Sequence, residues 1–280
     1  MRPPRYAALS IVGDRDRHPN EDAWAIGVGG ETYAVCDGVT TSHLPDGRYP
    51  SWAGGGVAAH VAADELVSLD SSPPGARHAS PRQHIIAALA RADALVAGLN
   101  ANRDDGPIDF DLHDAYSTTA VVANLADGRV HVACLGDAAA ILAPAHAPPY
   151  PLTRFQTDAA EAIRDILLAD GREPRERASL FRRELRNRPS AWRNRAGVGY
   201  GVLDGTGRYR PMIEWRQAPI GRGDRLYIAT DAVGRCLADR IERGEPLPTA
   251  PEEVIAVTRA WERRTRAAYQ DDATVLIVSL

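Results

Sequence analysis

Apolar, β-prone runs in this chain repeatedly stop on a carboxylate, and that restricts the fold to one that gathers strand ends at a common rim. The sharpest case is Tyr33-Ala34-Val35-Cys36-Asp37-Gly38, a run that reads as a buried strand delivering one acid to the edge of a sheet. Arg225-Leu226-Tyr227-Ile228-Ala229-Thr230-Asp231 repeats the pattern, and Asp271-Asp272 stands directly before the apolar run 273–280. A further pair, Glu21-Asp22, lies one short apolar segment ahead of Asp37. Acids collected at strand ends from both halves of a chain form a donor set suited to a hard divalent cation.

Composition removes several alternatives. The net charge of −4 and pI near 6.1 argue against nucleic acid as the main partner. All 33 basic residues are arginine. A phosphate-loop lysine, a Schiff-base lysine and a kinase ATP-anchoring lysine are therefore excluded, and Gly54-Gly55-Gly56 reads as a flexible lead-in to a helix. The 3 cysteines, Cys36, Cys134 and Cys236, are far apart and read as buried small hydrophobes. No apolar run approaches the ~20 residues of a membrane span, and Met1-Arg2-Pro3-Pro4 lacks a signal-peptide core, so a cytoplasmic protein with no membrane partner is expected.

In chain order, strands are expected at 7–12, 22–28 and 33–37, then a helix over about 55–69. Ser80-Pro81-Arg82-Gln83 combines an N-cap serine, proline at the first helical position and a capping-box glutamine. Ile85, Leu89, Ala92, Val96 and Leu99 then give that helix one apolar stripe. Runs 117–125 and 129–135 flank Asp127-Gly128, a hairpin signal, and Gly136-Asp137 turns into another apolar run at 138–142. An arginine-rich helical insertion is expected at about 153–196, strands at 197–203, 212–217 and 226–230, and a last helix from about Pro251. Strands and helices fall into separate runs, which favours a single α+β domain over residues 1–280.

The acids can be given parts. Asp37, ending a buried strand, suits a ligand bridging two metals, and Gly38 lets a backbone carbonyl approach one of them. Glu21 would serve one ion, Asp231 and Asp271 the other, and Arg17, on the same loop as Glu21, could hold a phosphate.

With these residues in view the sequence resembles the metal-dependent protein phosphatases of the 2C type, the PPM family, in its bacterial style. The resemblance is carried in order by RHPNEDA at 17–23, AVCDG at 34–38, STTAVVA at 117–123 with VACLGD at 132–137, GDRLYIATD at 223–231 and DDATVLIV at 271–278. It implies a four-layer αββα sandwich of two antiparallel sheets and a binuclear Mg2+ or Mn2+ centre. The activity implied is hydrolysis of phosphoserine and phosphothreonine in proteins, the phosphorylated targets of a serine/threonine kinase. Glu21, Asp37, the Gly38 carbonyl, Asp231 and Asp271 fall on metal positions, Asp22 on a supporting acidic position beside them, and Arg17 on the phosphate position. Asp272 stands where the family more often has asparagine.

The departures set further expectations. Ala232 follows Asp231 where glycine is usual, and is expected to restrict the turn that aims the carboxylate. Asp137 matches a third-metal position, but Arg235 stands where another acid is common, so that site is expected to be weak or absent. Val39 replaces a histidine general acid of animal-type members; His43 is the nearby alternative, with a surface histidine as its plainer reading. The run Ala138-Ala139-Ala140 has no explanation at this level. Besides an active phosphatase, two readings remain open: a phosphatase-like regulatory module that binds phosphoproteins without turnover, and a hydrolase of small phosphoesters.

Overall fold

A computed structural model describes residues 4–13, 19–40, 54–68, 80–103, 115–160, 162–163, 186–187, 192–197, 199–265 and 270–280. Arg17, His43 and most of the arginine-rich stretch lie outside the described residues.

Among the described residues the strands form two sheets of 5, every strand pairing antiparallel. One runs β2 (Asp22–Ile26), β3 (Thr32–Gly38), β4 (Thr118–Ala126), β5 (Arg129–Leu135) and β8 (Glu214–Pro219). The other runs β1 (Arg5–Ile11), β10 (Ala273–Ser279), β9 (Arg225–Ala229), β6 (Ala139–Ala143) and β7 (Tyr150–Pro151). Side chains alternate across each strand, and the inner strands are covered on both faces while β1, β7 and β8 stay partly open to solvent. Tyr33, Val35, Val121, Val132, Ile228, Leu276 and Val278 fill the layer between the sheets. Ala34, Cys36, Ala120, Val122 and Leu135 point the other way, against helices α1 (Gly54–Val67) and α2 (Pro81–Ala101). Helices α3 (Asp231–Glu242) and α4 (Pro251–Thr265) cover the second sheet through Val233, Leu237, Val254 and Ile255. The αββα sandwich is the architecture expected from the sequence.

Local signals explain most elements. Ser80 caps α2 by accepting the Gln83 N–H at 3.3 Å, and the Gln83 side chain returns to the Ser80 N–H at 2.8 Å. Asp127 and Gly128 both adopt positive φ, at 52° and 69°, as a two-residue hairpin turn between right-twisted strands requires. By length and hydropathy alone α2 would pass for a membrane-crossing helix. Its Ile85, Leu89, Ala92 and Val96 are instead buried in the sandwich, while Arg82, Gln83 and Arg91 face out, the amphipathic pattern of a covering helix.

Four expectations are corrected. The Gly54-Gly55-Gly56 run is the buried first turn of α1, packed against β3, and not a flexible lead-in. The run 197–203 is not a strand: only isolated bridges form, and the Asn194 side chain pairs with both backbone groups of Val202, occupying the bonds a strand neighbour would make. Helix α3 was not anticipated, although Val233, Cys236 and Leu237 recur at helical spacing along it. Ala232 lies inside the first turn of that helix, fully buried with ordinary helical backbone, so glycine is not needed there. The small run Ala138-Ala139-Ala140 also gains a reason. Ala138 and Ala140 sit between the sheets, and Ala139 meets α3 where Gly234 leaves no room for a larger pair.

One charged pair is sealed inside the fold. Arg193 and Asp204 are 0% and 1% exposed with Nε to Oδ2 at 3.2 Å. The backbone around Asp204 is fixed by Asp93 of α2, which accepts the N–H groups of Asp204, Gly205 and Gly207. Removing one member leaves a buried charge without its counterion, which costs about 3–5 kcal/mol. Asp204→Ala should therefore unfold at much lower urea than wild type. A loss within about 0.5 kcal/mol, the scale of an ordinary surface change, would contradict the pair's role.

Candidate metal centre

The layer between the sheets ends on acids because the alternation that buries Tyr33 and Val35 also carries Asp37 in the same direction. Opposite it in register on β2 stands Asp22. On the other sheet the same alternation passes from Leu276 through Thr274 to Asp272, and from Ile228 to Thr230. The two sheets therefore bring polar side chains together at one end of an otherwise apolar layer.

Asp22 is buried, and its Oδ2 accepts the Thr230 hydroxyl at 2.9 Å. Thr230 accepts in turn from the Thr274 N–H at 3.0 Å, so the residue at the N-cap of α3 spends its side chain on the site and makes no capping bond. Asp272 reaches across with both oxygens, accepting the Gly13 N–H and the Glu21 N–H at 2.7 Å each. Asn20 completes the bracket, accepting the Asp22 N–H through its side-chain oxygen and donating to Ser10, which is bonded to Thr274.

Glu21 is 2% exposed, and its carbonyl accepts the Gly38 N–H at 3.0 Å. Gly38 lies so close to α1 that a Cβ there would come 2.5 Å from the Gly55 oxygen and 2.7 Å from the Glu21 oxygen. A Cβ on Gly55 would meet the Glu21 carboxylate at 2.8 Å. Paired glycines thus let the strand end, the helix start and the acid share one small space.

Asp231 is the first residue of α3 and Asp271 precedes β10. The Asp271 backbone is held from behind by α4: Glu262 accepts its N–H at 2.9 Å and Arg259 donates to its carbonyl at 2.6 Å. Arg259 and Glu262 are themselves paired at 2.7 Å, Glu262 wholly buried. Asp137 lies in the turn between β5 and β6, its Oδ2 accepting the Thr157 hydroxyl at 2.9 Å. Arg235 pairs with Asp158 at 2.8 Å and donates to Thr157 at 3.1 Å.

Electrostatics identify Asp37 as the hub. Its carboxyl is raised well above the ordinary range, first by burial and then by Asp22, Asp231, Asp137 and Asp271. Asp22 is raised by burial and by Asp272, against the lowering effect of hydrogen bonds from Thr274 and Thr230. Among the described residues, no 3 acid, histidine or cysteine side chains close around one point as a finished ligand cluster. The acids stand within each other's field, and Asp22, Asp272 and Asp137 also accept hydrogen bonds. An all-oxygen donor set of this kind, beside a space that a Cβ would fill, fits a hard cation better than a soft one.

The sequence-derived residues Glu21, Asp22, Asp37, Gly38, Asp231, Asp271 and Asp137 thus gather at one edge. Thr230 and the Arg259–Glu262 pair, which support them, were missed. The buried thiols of Cys36, Cys134 and Cys236 are all pushed up, first by desolvation, which leaves them no nucleophilic part.

The architecture matches solved structures over nearly the whole chain. The catalytic domain of the serine/threonine protein phosphatase PstP in complex with two manganese ions aligns at TM-score 0.64 and 20% identity, covering 99% of this chain and 97% of that one. The Mycobacterium tuberculosis phosphatase PstP/Ppp aligns at 0.65 and 20%, covering 99% and 98%. The PPM Ser-Thr phosphatase MsPP from Mycobacterium smegmatis, in complex with cacodylate, aligns at 0.58 and 19%, covering 99% and 98%. No protein-family model and no curated protein matches the sequence. At these identities the likeness establishes a shared fold.

Raised carboxylates make stability depend on pH in a defined sense. Asp22 and Asp37 hold protons more strongly folded than unfolded, so their stabilising contribution is full below the ordinary range near about 4 and is lost as pH rises through the raised values. In chelator, the melting temperature should climb as pH is lowered from about 8 towards about 5, and Asp37→Asn should flatten that climb. His131, lowered by burial, opposes the trend at the acid end in both proteins, so the difference between them is the readout. Superimposable profiles would contradict the assignment.

Proposed function

We propose that this chain is a metal-dependent protein phosphatase of the PPM family that hydrolyses phosphoserine and phosphothreonine at a centre for two Mg2+ or Mn2+ ions. The observation that carries the reading is Asp37, at the end of an inner strand within the field of Asp22, Asp231, Asp137 and Asp271. That arrangement sits at the sheet edge of a fold shared with PPM phosphatases. The substrates would be the phosphorylated protein targets of a serine/threonine kinase, met in the cytoplasm. That part of the reading rests on the family resemblance and the composition.

Glu21, Asp37 and the Gly38 carbonyl would hold one ion and Asp37, Asp231 and Asp271 the other, with Asp37 shared. Such ions would supply Lewis acidity, lowering the pKa of a water far below its bulk value towards about 7 and offsetting charge on phosphate oxygens. The chain's own contribution is placement. The Gly38–Gly55 contact fixes where the strand end stops. The Thr118 hydroxyl, 2.9 Å from the Asp37 carbonyl, fixes the adjoining backbone. Asp272 holds the Glu21 backbone, and the Arg259–Glu262 pair holds that of Asp271. Arg17 would receive the phosphate by paired guanidinium hydrogen bonds.

A regulatory module that binds phosphoproteins without turnover is the second reading, motivated by the departures at Ala232 and Arg235, the latter standing where the family commonly has another acid. Hydrolysis of a chromogenic phosphoester with manganese, with magnesium and with chelator separates the two. Wild type should turn over only with metal, and Asp37→Asn should lose about 10²-fold or more. Wild type as inactive as the variant with every metal, yet still binding phosphopeptide, would establish the module instead. Arg17→Ala should raise KM about 10-fold or more, the scale of a charged hydrogen bond; an unchanged KM would remove Arg17 from that role.

A further inference from the structure

Beside the centre, one arginine is held from several sides. Arg235 stands one helical turn after Asp231 on α3 and is 19% exposed. Its guanidinium carbon lies 4.4 Å from the centre of the Phe155 ring, Nη1 is 2.8 Å from Asp158 Oδ1, and Nη2 donates to the Thr157 hydroxyl at 3.1 Å. The Thr157 hydroxyl donates onward to Asp137 Oδ2 at 2.9 Å. A guanidinium cannot lose its proton in a protein, so this is a fixed positive charge one hydroxyl away from an acid that adds to the field at Asp37.

The surrounding segment is fastened residue by residue. Thr153 accepts the Ala140 N–H, the Arg154 N–H donates to Glu214, and Gln156 accepts the N–H groups of both Gly136 and Gly201. Thr157 is thus presented to Asp137 from a rigid base, and Arg235 closes the link from that base to the helix that carries Asp231.

We propose that Arg235 is a positioning residue that acts through Thr157 as a built-in cation for Asp137. It stands in for a divalent ion at that corner and ties Asp137 and Asp231 into one unit. The proposal rests on the reading of the edge as a two-ion centre, and it gives Asp137 a cation of the chain one hydroxyl away, shared with the direct ion pair to Asp158.

Manganese binding measured by calorimetry tests it without recourse to activity. Arg235→Ala should bind one more manganese per chain than wild type, and adding Asp137→Asn to that variant should abolish the extra ion. Arg235→Lys, which keeps the charge but loses the planar stack on Phe155, should bind the wild-type number; a purely packing role would not separate lysine from alanine in this way. Equal numbers and affinities in wild type and Arg235→Ala would overturn the proposal.

A second arm needs no metal. In chelator, Arg235→Ala should lower the melting temperature by about 2–4 °C in the wild-type background and by clearly less with Asp137→Asn or Thr157→Val already present. Equal shifts in all three backgrounds would equally overturn it. Wild type that binds no manganese would count against the two-ion reading alone, and the thermal comparison would then decide for or against the Arg235 link.

Discussion

The structure depends on bringing like charges together, which two sheets do at the end of their shared layer. A carboxylate near a core is costly unless it is hydrogen-bonded or balanced by a cation. The fold supplies the first remedy with unusual economy. Thr230 serves Asp22, while Asp272 accepts from Glu21 and Gly13 on two sides of the site. Each bond crosses from one sheet to the other or from a sheet to the loop between β1 and β2. The site is therefore also where the two halves of the sandwich are joined by polar contacts.

Close approach is the second requirement. The contact of Gly38 with Gly55 and the pairing of Gly234 with Ala139 remove side chains where helices meet strands next to the acids. The alanine-rich faces of α1 and β3 continue the same logic further into the sandwich. A larger core would hold the helices farther out, and Glu21 would lose its place beside the strand end.

Much of this was legible in the sequence because it follows from alternation. A strand that buries Tyr33 and Val35 on one face must present Asp37 on that face too, and Asp272 follows from Leu276 in the same way, whereas Asp231 and Asp271 have the opposite parity and were legible only as acids beside strand ends. The αββα layers came less from periodicity than from the ordered blocks that resemble PPM phosphatases. What stayed hidden was set by tertiary contacts. Helix α3 was missed because Thr230 and Asp231 read as the end of a strand, and the cap that would have announced a helix has its hydroxyl turned to Asp22. The run 197–203 looked like a strand, but the Asn194 side chain takes its hydrogen bonds, a partner that no local pattern reveals. Arg235 could be named from the sequence as a cation near Asp137, yet its link through Thr157 depends on how the turn after β7 folds back.

The sheet orders carry one more implication. Among the described residues, strands β1 and β2 each have one neighbour, β10 and β3. Gly13 and Glu21, which Asp272 clasps, follow the first and precede the second. Outer strands fray before inner ones, and partial opening of a protein costs less than melting it whole. Peeling at this margin would dismantle the acidic site while the remaining layers stayed packed, so warming would scatter the carboxylates some way short of the cooperative collapse.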